Sequence, residues 1–362
     1  MSMETTVWRP TIVVVGGFLG AGKTSMILSA AQRLEKRGSR CAVLLNDQGL
    51  ELVDTRLTEL HKMAAREVTG GCFCCRFSDL VAAIESLREL RPEVIFAEPV
   101  GSCTDIAATV LRPLREEFGR YRIAPFTVLV DPERARAMGS DNPDPNVAFL
   151  FRNQLQEADL VCLSKSDLYP EAAALLGLQT RRVSSATGQG VDEWLNEILG
   201  EDTEAGLRTL EIDYAQYAQA EAALAWVNLN FRLELATAVS PAEVAGPFLD
   251  ELVHALTEDE IEIVHLKLID SAPSGWVKAA LCANGDNPMV EGMLDASPAS
   301  KHEFLLNLRA IAEPDRMRTI LERQLNRLSG KTNELQLDCF SPAPPVPERR
   351  IAKTPSLPQT TS

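Results

Sequence analysis

Gly17-Phe18-Leu19-Gly20-Ala21-Gly22-Lys23-Thr24 fits the G-x-x-x-x-G-K-[ST] spacing of a phosphate-binding loop. Its flanks fit as well. Thr11 to Val15 is a short apolar run of strand character, and Ser25 to Lys36 has helical spacing directly after the loop. In this pattern Gly17, Gly20 and Gly22 let the backbone turn its N–H groups, with those of Ala21 and Ser25, toward an anion at a helix N-terminus. Lys23 reaches the β- and γ-phosphates, and the Thr24 hydroxyl holds Mg²⁺. The stretch reads as a nucleoside triphosphate site.

Further apolar runs follow at regular intervals. Cys41 to Leu45, Glu93 to Ala97, Phe126 to Val130, Leu160 to Leu163 and Arg182 to Ser184 read as strands. Ser78 to Leu90 and Gly190 to Leu199 read as helices. Strands alternating with helices predict an α/β P-loop NTPase fold, with a mostly parallel sheet and helices on both faces. Ligands of such sheets bind at the strand C-terminal ends. The polar clusters Asn46-Asp47, Glu98 to Gly101, Asp131 and Ser164 to Asp167 all fall there. The stretch from Gln48 to Gly71 is weakly patterned and predicts a long functional loop.

Beyond residue 200 the rhythm changes. Strands are predicted at Trp226 to Leu235, Ile261 to Leu268, Trp276 to Cys282 and Glu303 to Ile311, with helices at Pro241 to Leu256 and Asp315 to Leu328. This order suggests a smaller α+β domain of split βαβ type. The expected division is a GTPase domain over 1–205, a linker over 206–225, the α+β domain over 226–340 and a disordered Pro-rich tail over 341–362.

Composition narrows the partners. The chain has 362 residues, 45% hydrophobic and 24% charged, with a net charge of −15. That balance disfavours nucleic acid and anionic membrane surfaces. No run nears the roughly 18 apolar residues a membrane helix needs, and the first ten residues lack a signal-peptide pattern. A cytoplasmic location is expected. There the eight cysteines are not a disulfide framework. Cys41, Cys103, Cys162, Cys282 and Cys339 are scattered and read as small buried hydrophobes.

Ser164-Lys165-Ser166-Asp167 stands where a guanine-reading Asn-Lys-x-Asp would stand. The Asp167 carboxylate can accept from both the ring N–H and the exocyclic amino group of guanine, a donor pair adenine lacks. Lys165 would pack its stem over the base, and Ser185 and Ala186 would brace it through backbone amides. Ser164 in place of Asn removes about one hydrogen bond, worth roughly 0.5–1.5 kcal/mol.

Cys72, Cys74 and Cys75 offer three thiols within four residues. A turn can converge them on one soft ion such as Zn²⁺, Co²⁺, Ni²⁺ or Cu(I). Arg76 and the following helix start would favour the thiolate form. Asp47, Glu51, His61 or a water could supply a fourth ligand. Buried structural thiols and a redox pair are the competing readings.

Gly16 to Thr24, Gly71-Cys-Phe-Cys-Cys75, Glu98-x-x-Gly101 and Ser164 to Asp167, in that order, resemble the CobW-like P-loop GTPases. These are relatives of the nickel-insertion GTPases of urease and hydrogenase maturation. The resemblance implies a GTP- and Mg²⁺-dependent metallochaperone that binds a transition metal, Zn²⁺ or Co²⁺, at Cys72, Cys74 and Cys75. It implies delivery to a client metalloprotein or corrinoid protein, with slow GTP hydrolysis, and it leaves room for a homodimer. Glu98 would orient Mg²⁺ or the attacking water, and Gly101 would follow the γ-phosphate. Asn46-Asp47-Gln48-Gly49 stands where relatives often carry Asn-Glu-Phe-Gly, so Asp47 is one carbon shorter. Two other readings stand beside it. One is a GTPase regulator or reactivation factor for a corrinoid protein with structural cysteines. The other is an ATP-dependent kinase or transferase with Cys75 as a redox switch.

Overall fold

The computed structural model describes residues 8–48, 53–172, 177, 179–200, 205–206 and 208–352. The first layer is a fully parallel sheet. Its strands are β1 (Thr11–Gly17), β2 (Cys41–Asn46), β3 (Ala65–Val68), β4 (Val94–Glu98), β5 (Arg122–Ile123), β6 (Thr127–Val130), β7 (Leu160–Leu163) and β8 (Thr180–Arg182). They lie in the order β3-β2-β4-β1-β6-β7-β8, with the short β5 beside the start of β1. β1, β2, β4 and β6 are wholly or almost wholly buried, as parallel strands covered on both faces must be.

Two crossovers position the site. β1 pairs β4 with Thr11 opposite Val94, so the loop after β1 emerges beside Glu98. β2 pairs β4 with Leu45 opposite Glu98, which brings Asn46 and Asp47 to the same edge. The helix after the loop, α1 (Lys23–Lys36), starts at Gly22 in the left-handed conformation (φ 85°). A side chain there would be strained, and the glycine accepts it.

The stretch expected as a long loop contains α2 (Val53–Leu60) and the edge strand β3. Residues 49–52 lie outside the described ones. The polar β3 carries little strand signal because only Val68 of its four residues is buried. The predicted helix from Ser78 is α3 (Phe77–Ser86) and ends in a single tighter turn at Leu90. Then come α4 (Arg112–Phe118), α5 (Pro132–Met138), α6 (Pro145–Glu157) and α7 (Val191–Leu199). Asp131 and Asp144 cap α5 and α6 with their side chains, each followed by proline.

The expected linker contains a packed helix. Residues 214–222 form α8 (Tyr214–Ala222), capped by Asp213, with Tyr217 and Ala220 buried in the same core as β1 and β4. Its exposed face is Ala and Gln, and its one acidic residue, Glu221, is buried, so polarity alone disguised a packed helix.

The second layer is antiparallel. Its elements are β9 (Leu224–Val239), α9 (Pro241–Glu258), β10 (Glu262–Ala272), β11 (Gly275–Leu281), β12 (Met289–Gly292), β13 (Ala299–Ile311), α10 (Pro314–Leu325) and β14 (Lys331–Phe340). The strand order is β12-β11-β10-β13-β9-β14, with β13 inserted between β9 and β10 as a split βαβ unit requires. A Ser240–Glu243 capping box starts α9. Trp226 and Val264 share a core with Phe18 and Leu19 of the phosphate loop, so the second sheet packs onto the nucleotide end of the first.

Residues 341–352 overturn the expected disorder of the tail. They lie along the first layer: Glu348 N–H donates to Cys74 O (2.9 Å), and Ile351 N–H donates to Ala108 O (2.8 Å). Prolines at 342, 344, 345 and 347 pre-extend this segment, so little entropy is lost on docking. Residues 353–362 lie outside the described ones.

Candidate nucleotide site and metal centre

The loop between β1 and α1 has the spacing and the backbone its sequence implied. A Cβ on Gly17 (φ +134°) would lie 2.3 Å from Leu129 O, and one on Gly20 (φ +81°) 2.3 Å from Cys282 Sγ. Neither position tolerates a side chain. Lys23 and Thr24 are buried beneath the loop. Lys23 Nζ stands 4.0 Å from Glu98 Oε1. The Thr24 hydroxyl lies 2.7 Å from Asp54 Oδ1 and 3.1 Å from Glu98 Oε1.

Asp54, on α2, was not a sequence candidate. Lys267 of β10 grips both its carboxylate oxygens at 2.6 Å. Burial, which would raise this carboxyl, is outweighed by Lys267 and the Thr24 hydrogen bond, so it is held low. Glu98 goes the other way. Burial, then the Asp54 charge, push it up to about 7. Burial lowers Lys23 against the opposing pull of Glu98. Lys267 could not be found from sequence, because no local pattern marks a lysine that crosses between layers.

A groove of about 480 Å³ is lined by Gly20, Lys23, Thr24, Asp54, Glu98 and Lys267. An adjoining cavity of about 500 Å³ holds Ser164, Asp167, Ser185 and Ala186. Both touch Gly22, Ser25 and Lys165, so phosphate and base ends run together. Asp167 is exposed into the second. Ser164 Oγ donates to Val130 O (3.2 Å), which turns it toward the neighbouring strand β6. Lys165 is ion-paired with Asp131 rather than free above a base.

The three thiols converge as their spacing allows. Cys72 Sγ lies 2.7 Å from Cys74 Sγ and 3.3 Å from Cys75 Sγ, and the Cys74–Cys75 distance is 3.7 Å. All three sulfurs fall within 4.8 Å of one another. Asn46 builds this turn: its amide donates to Val68 O and Gly71 O (both 2.8 Å) and accepts from Phe73 N–H (2.8 Å). Hydrogen bonds from Cys103, then Cys74 and Cys75, hold Cys72 well below an ordinary thiol. Arg76, expected to do this, is paired with Asp79 at 2.6 Å. Cys74 and Cys75 are pushed up as partners of Cys72.

Cys103 is buried in the apolar core that also holds Cys72 and Cys74, as its reading from sequence as a small buried hydrophobe implies. Asp47 is a correction. Its carboxylate faces Arg309 (3.2 Å to each oxygen) and lines the Lys23 side with Glu98, so it does not converge with the thiols. His61 is hydrogen-bonded to Gln32 (3.1 Å) and rests against Trp276, away from the cluster. Glu51 lies outside the described residues.

Gly101 joins the two halves. A Cβ there would meet Lys23 Nζ at 3.0 Å, and Cys103 is two residues on. The Gln154 amide donates to both Gly101 O (3.0 Å) and Cys103 O (2.9 Å), making one short unit of residues 101–103.

A phosphate loop at the C-terminal edge of a parallel sheet, with a carboxylate on the neighbouring strand, defines a P-loop nucleotide-binding protein. Residues 11–189 match the family model described as CobW/HypB/UreG, nucleotide-binding domain. Among curated relatives, the zinc chaperone CobW of Sinorhizobium sp is 30% identical over 204 residues, 49% of this chain and 56% of its own. The zinc chaperone YjiA of Escherichia coli is 28% identical over 174 residues, 45% of this chain and 52% of its own. The chain thus spans about half the length of the curated relatives it matches. Zn(II)-bound YjiA GTPase from E. coli aligns over 87% of this chain and 99% of its own, at 14% identity and a TM-score of 0.35. HypB from Helicobacter pylori in complex with nickel aligns over 52% and 85%, at 16% identity and a TM-score of 0.37. Among the described residues no helix is long and apolar enough to cross a membrane.

Proposed function

We propose that this chain is a GTP-hydrolysing metallochaperone that binds a transition-metal ion, Zn²⁺ or Co²⁺, at Cys72, Cys74 and Cys75 and passes it to a client metalloprotein. One observation carries the reading: three thiol sulfurs converge within 4.8 Å of one another, in the same core as the phosphate-loop residues Phe18 and Leu19 and the turn after β4 that begins beside Lys23. Guanine selection rests on Asp167 at the base end of the groove. The relatives named as zinc chaperones favour the same cargo.

Magnesium suits the donors present. Glu98 Oε2 is buried without a hydrogen-bond partner, beside the Thr24 hydroxyl. Thr24 and Glu98 would hold the ion, which would neutralise phosphate charge. Lys23 draws the terminal phosphate inward, and residues 101–103 follow it. Turnover is slow on this reading, because the cations at the groove are committed to carboxylates, Lys267 to Asp54 and Arg309 to Asp47.

If nucleotide moves residues 101–103, metal affinity changes, and by linkage metal must change GTP affinity equally. Titration of Zn²⁺ or Co²⁺ with and without a non-hydrolysable GTP analogue tests this. A shift of about fivefold or more is expected. Equal affinities in the two states would remove the coupling. The burial of Cys72 and Cys74 also suits a GTPase regulator of a corrinoid protein with structural cysteines. The double variant Cys72→Ser, Cys74→Ser separates the two: the chaperone loses stoichiometric metal and client activation together, the regulator only stability.

A further inference from the structure

The groove over the phosphate loop has a second wall, and it comes from the antiparallel sheet. Lys267 of β10 and Lys278 of β11 line it together with Gly20, Lys23 and Thr24. In the β10–β11 ladder Lys267 pairs Ala280 and Ile269 pairs Lys278, so the two lysines are diagonal neighbours on one face. His265 shares that face, but burial, then the Lys267 charge, hold it well below its ordinary value. The cations of this face are the two lysines.

Their burial sets them apart, because lysine is almost never fully buried unless paired. The side chains of Lys267 and Lys278 are only 16% and 6% exposed. Each ammonium carries three donors. Lys267 directs two of them at Asp54, 2.6 Å from each oxygen. Asp54 Oδ1 also accepts from the Thr24 hydroxyl (2.7 Å), so this ammonium stands one oxygen away from the phosphate loop. Lys278 has a single bond among the described residues, to Glu291 Oε1 (3.2 Å). One donor of Lys267 and two of Lys278 are left over at the groove. A buried ammonium in that state is costly unless an anion meets it.

We propose that Lys267 and Lys278 form a second phosphate clamp, supplied by the antiparallel sheet, that recognises the terminal phosphate of the nucleotide and so distinguishes triphosphate from diphosphate. The inference rests on the nucleotide-binding reading above and adds the residues that sense nucleotide state.

Lys23 and the N-terminus of α1 bind the phosphates from the parallel sheet. Lys267 and Lys278 meet the terminal one from the antiparallel sheet. A triphosphate then bridges the two layers, and a diphosphate falls short of the second. Loss of the terminal phosphate loosens β10 and β11 from the loop, which lets the second sheet report hydrolysis. Because Asp54 keeps hold of Lys267, the clamp binds the phosphate without following it, in keeping with slow turnover.

Fluorescent GTP and GDP analogues bound to the full chain read the clamp as a ratio of affinities. Lys278→Gln should weaken the GTP analogue about tenfold or more, the worth of a hydrogen bond to a charged group, and the GDP analogue less than about twofold. Lys278→Arg, which keeps the charge, should recover most of the loss. Lys267→Met alone strands the Asp54 charge, so it is made in an Asp54→Asn background and compared with Asp54→Asn. The same loss, confined to the GTP analogue, is expected there. Urea midpoints establish that each variant is folded. An equal loss for both analogues in either folded set, or no loss, overturns the two-lysine clamp and leaves the phosphate loop to bind alone. A parent chain that binds neither analogue overturns the nucleotide reading and this one with it.

Discussion

Asp167 acts as a single residue. Exposed at the base end of the groove, it has a carboxylate that can meet two guanine donors. Asp167→Asn replaces one acceptor by a donor, which should cost about 1.5–3 kcal/mol, or roughly 10- to 100-fold in GTP affinity. Competition between GTP and xanthosine triphosphate reads this out, since the amide should move preference toward xanthine. An unchanged preference would place base recognition elsewhere. Glu157 is a different case. It accepts from Thr104 Oγ1 and Ala107 N–H, and burial pushes it up to about 8 from an ordinary 4.5. Because the folded carboxyl resists ionisation, stability present at low pH is lost as pH rises from the unfolded value through about 8. The slope is at most about 1.4 kcal/mol per pH unit. Urea midpoints between about pH 5 and pH 8 should fall less steeply in Glu157→Gln; parallel slopes would absolve this residue.

The tail strap belongs to the scale of elements. Val346 N–H donates to Cys75 Sγ (3.2 Å), and Glu348 caps the first turn of α3, accepting from Ser78 N–H (3.0 Å) and Oγ (2.6 Å). Arg350 bonds Asp105 (2.8 Å), just past Cys103 on the switch segment. One segment therefore ties the thiol turn to residues beyond Gly101. Glu348→Ala should cost about 1 kcal/mol, the worth of a helix cap. Truncation after Phe340 should speed Zn²⁺ transfer to a chromophoric chelator with no change in GTP affinity. Transfer at the parent rate would make the strap a passive cover. The prolines and the low apolar content predicted a disordered tail. They did not predict that it would be docked.

At the scale of the whole molecule, the second sheet closes the nucleotide groove. Lys267 reaches Asp54, Arg309 reaches Asp47 and stacks on Trp226 (3.9 Å), and Arg134 donates to Val264 O and Cys282 O (2.9 and 2.7 Å). These bonds tie β10 and β13 to both edges of the phosphate loop. Removing one member of the largely buried Lys267–Asp54 pair strands the other charge. Lys267→Met should therefore destabilise by about 3–5 kcal/mol, and adding Asp54→Asn should recover most of it. A double-mutant cycle by denaturant unfolding measures this, and additive losses would show that the two residues do not interact.

The phosphate loop, the alternation of strands and helices and the thiol trio were legible in the chain alone. Each is set by neighbours in sequence: glycines spaced for a turn, apolar residues at strand or helix period, sulfurs within four positions. The packed α8, the docked tail and the ligand sets around Thr24 and Cys72 were not. Asp54 and Lys267 are 213 residues apart, and Cys75 and Val346 271. A contact made across the sheet costs the chain loop closure and is repaid by burial, which no short pattern records. The sequence determined which chemistries this protein carries, and the tertiary structure decided that they meet.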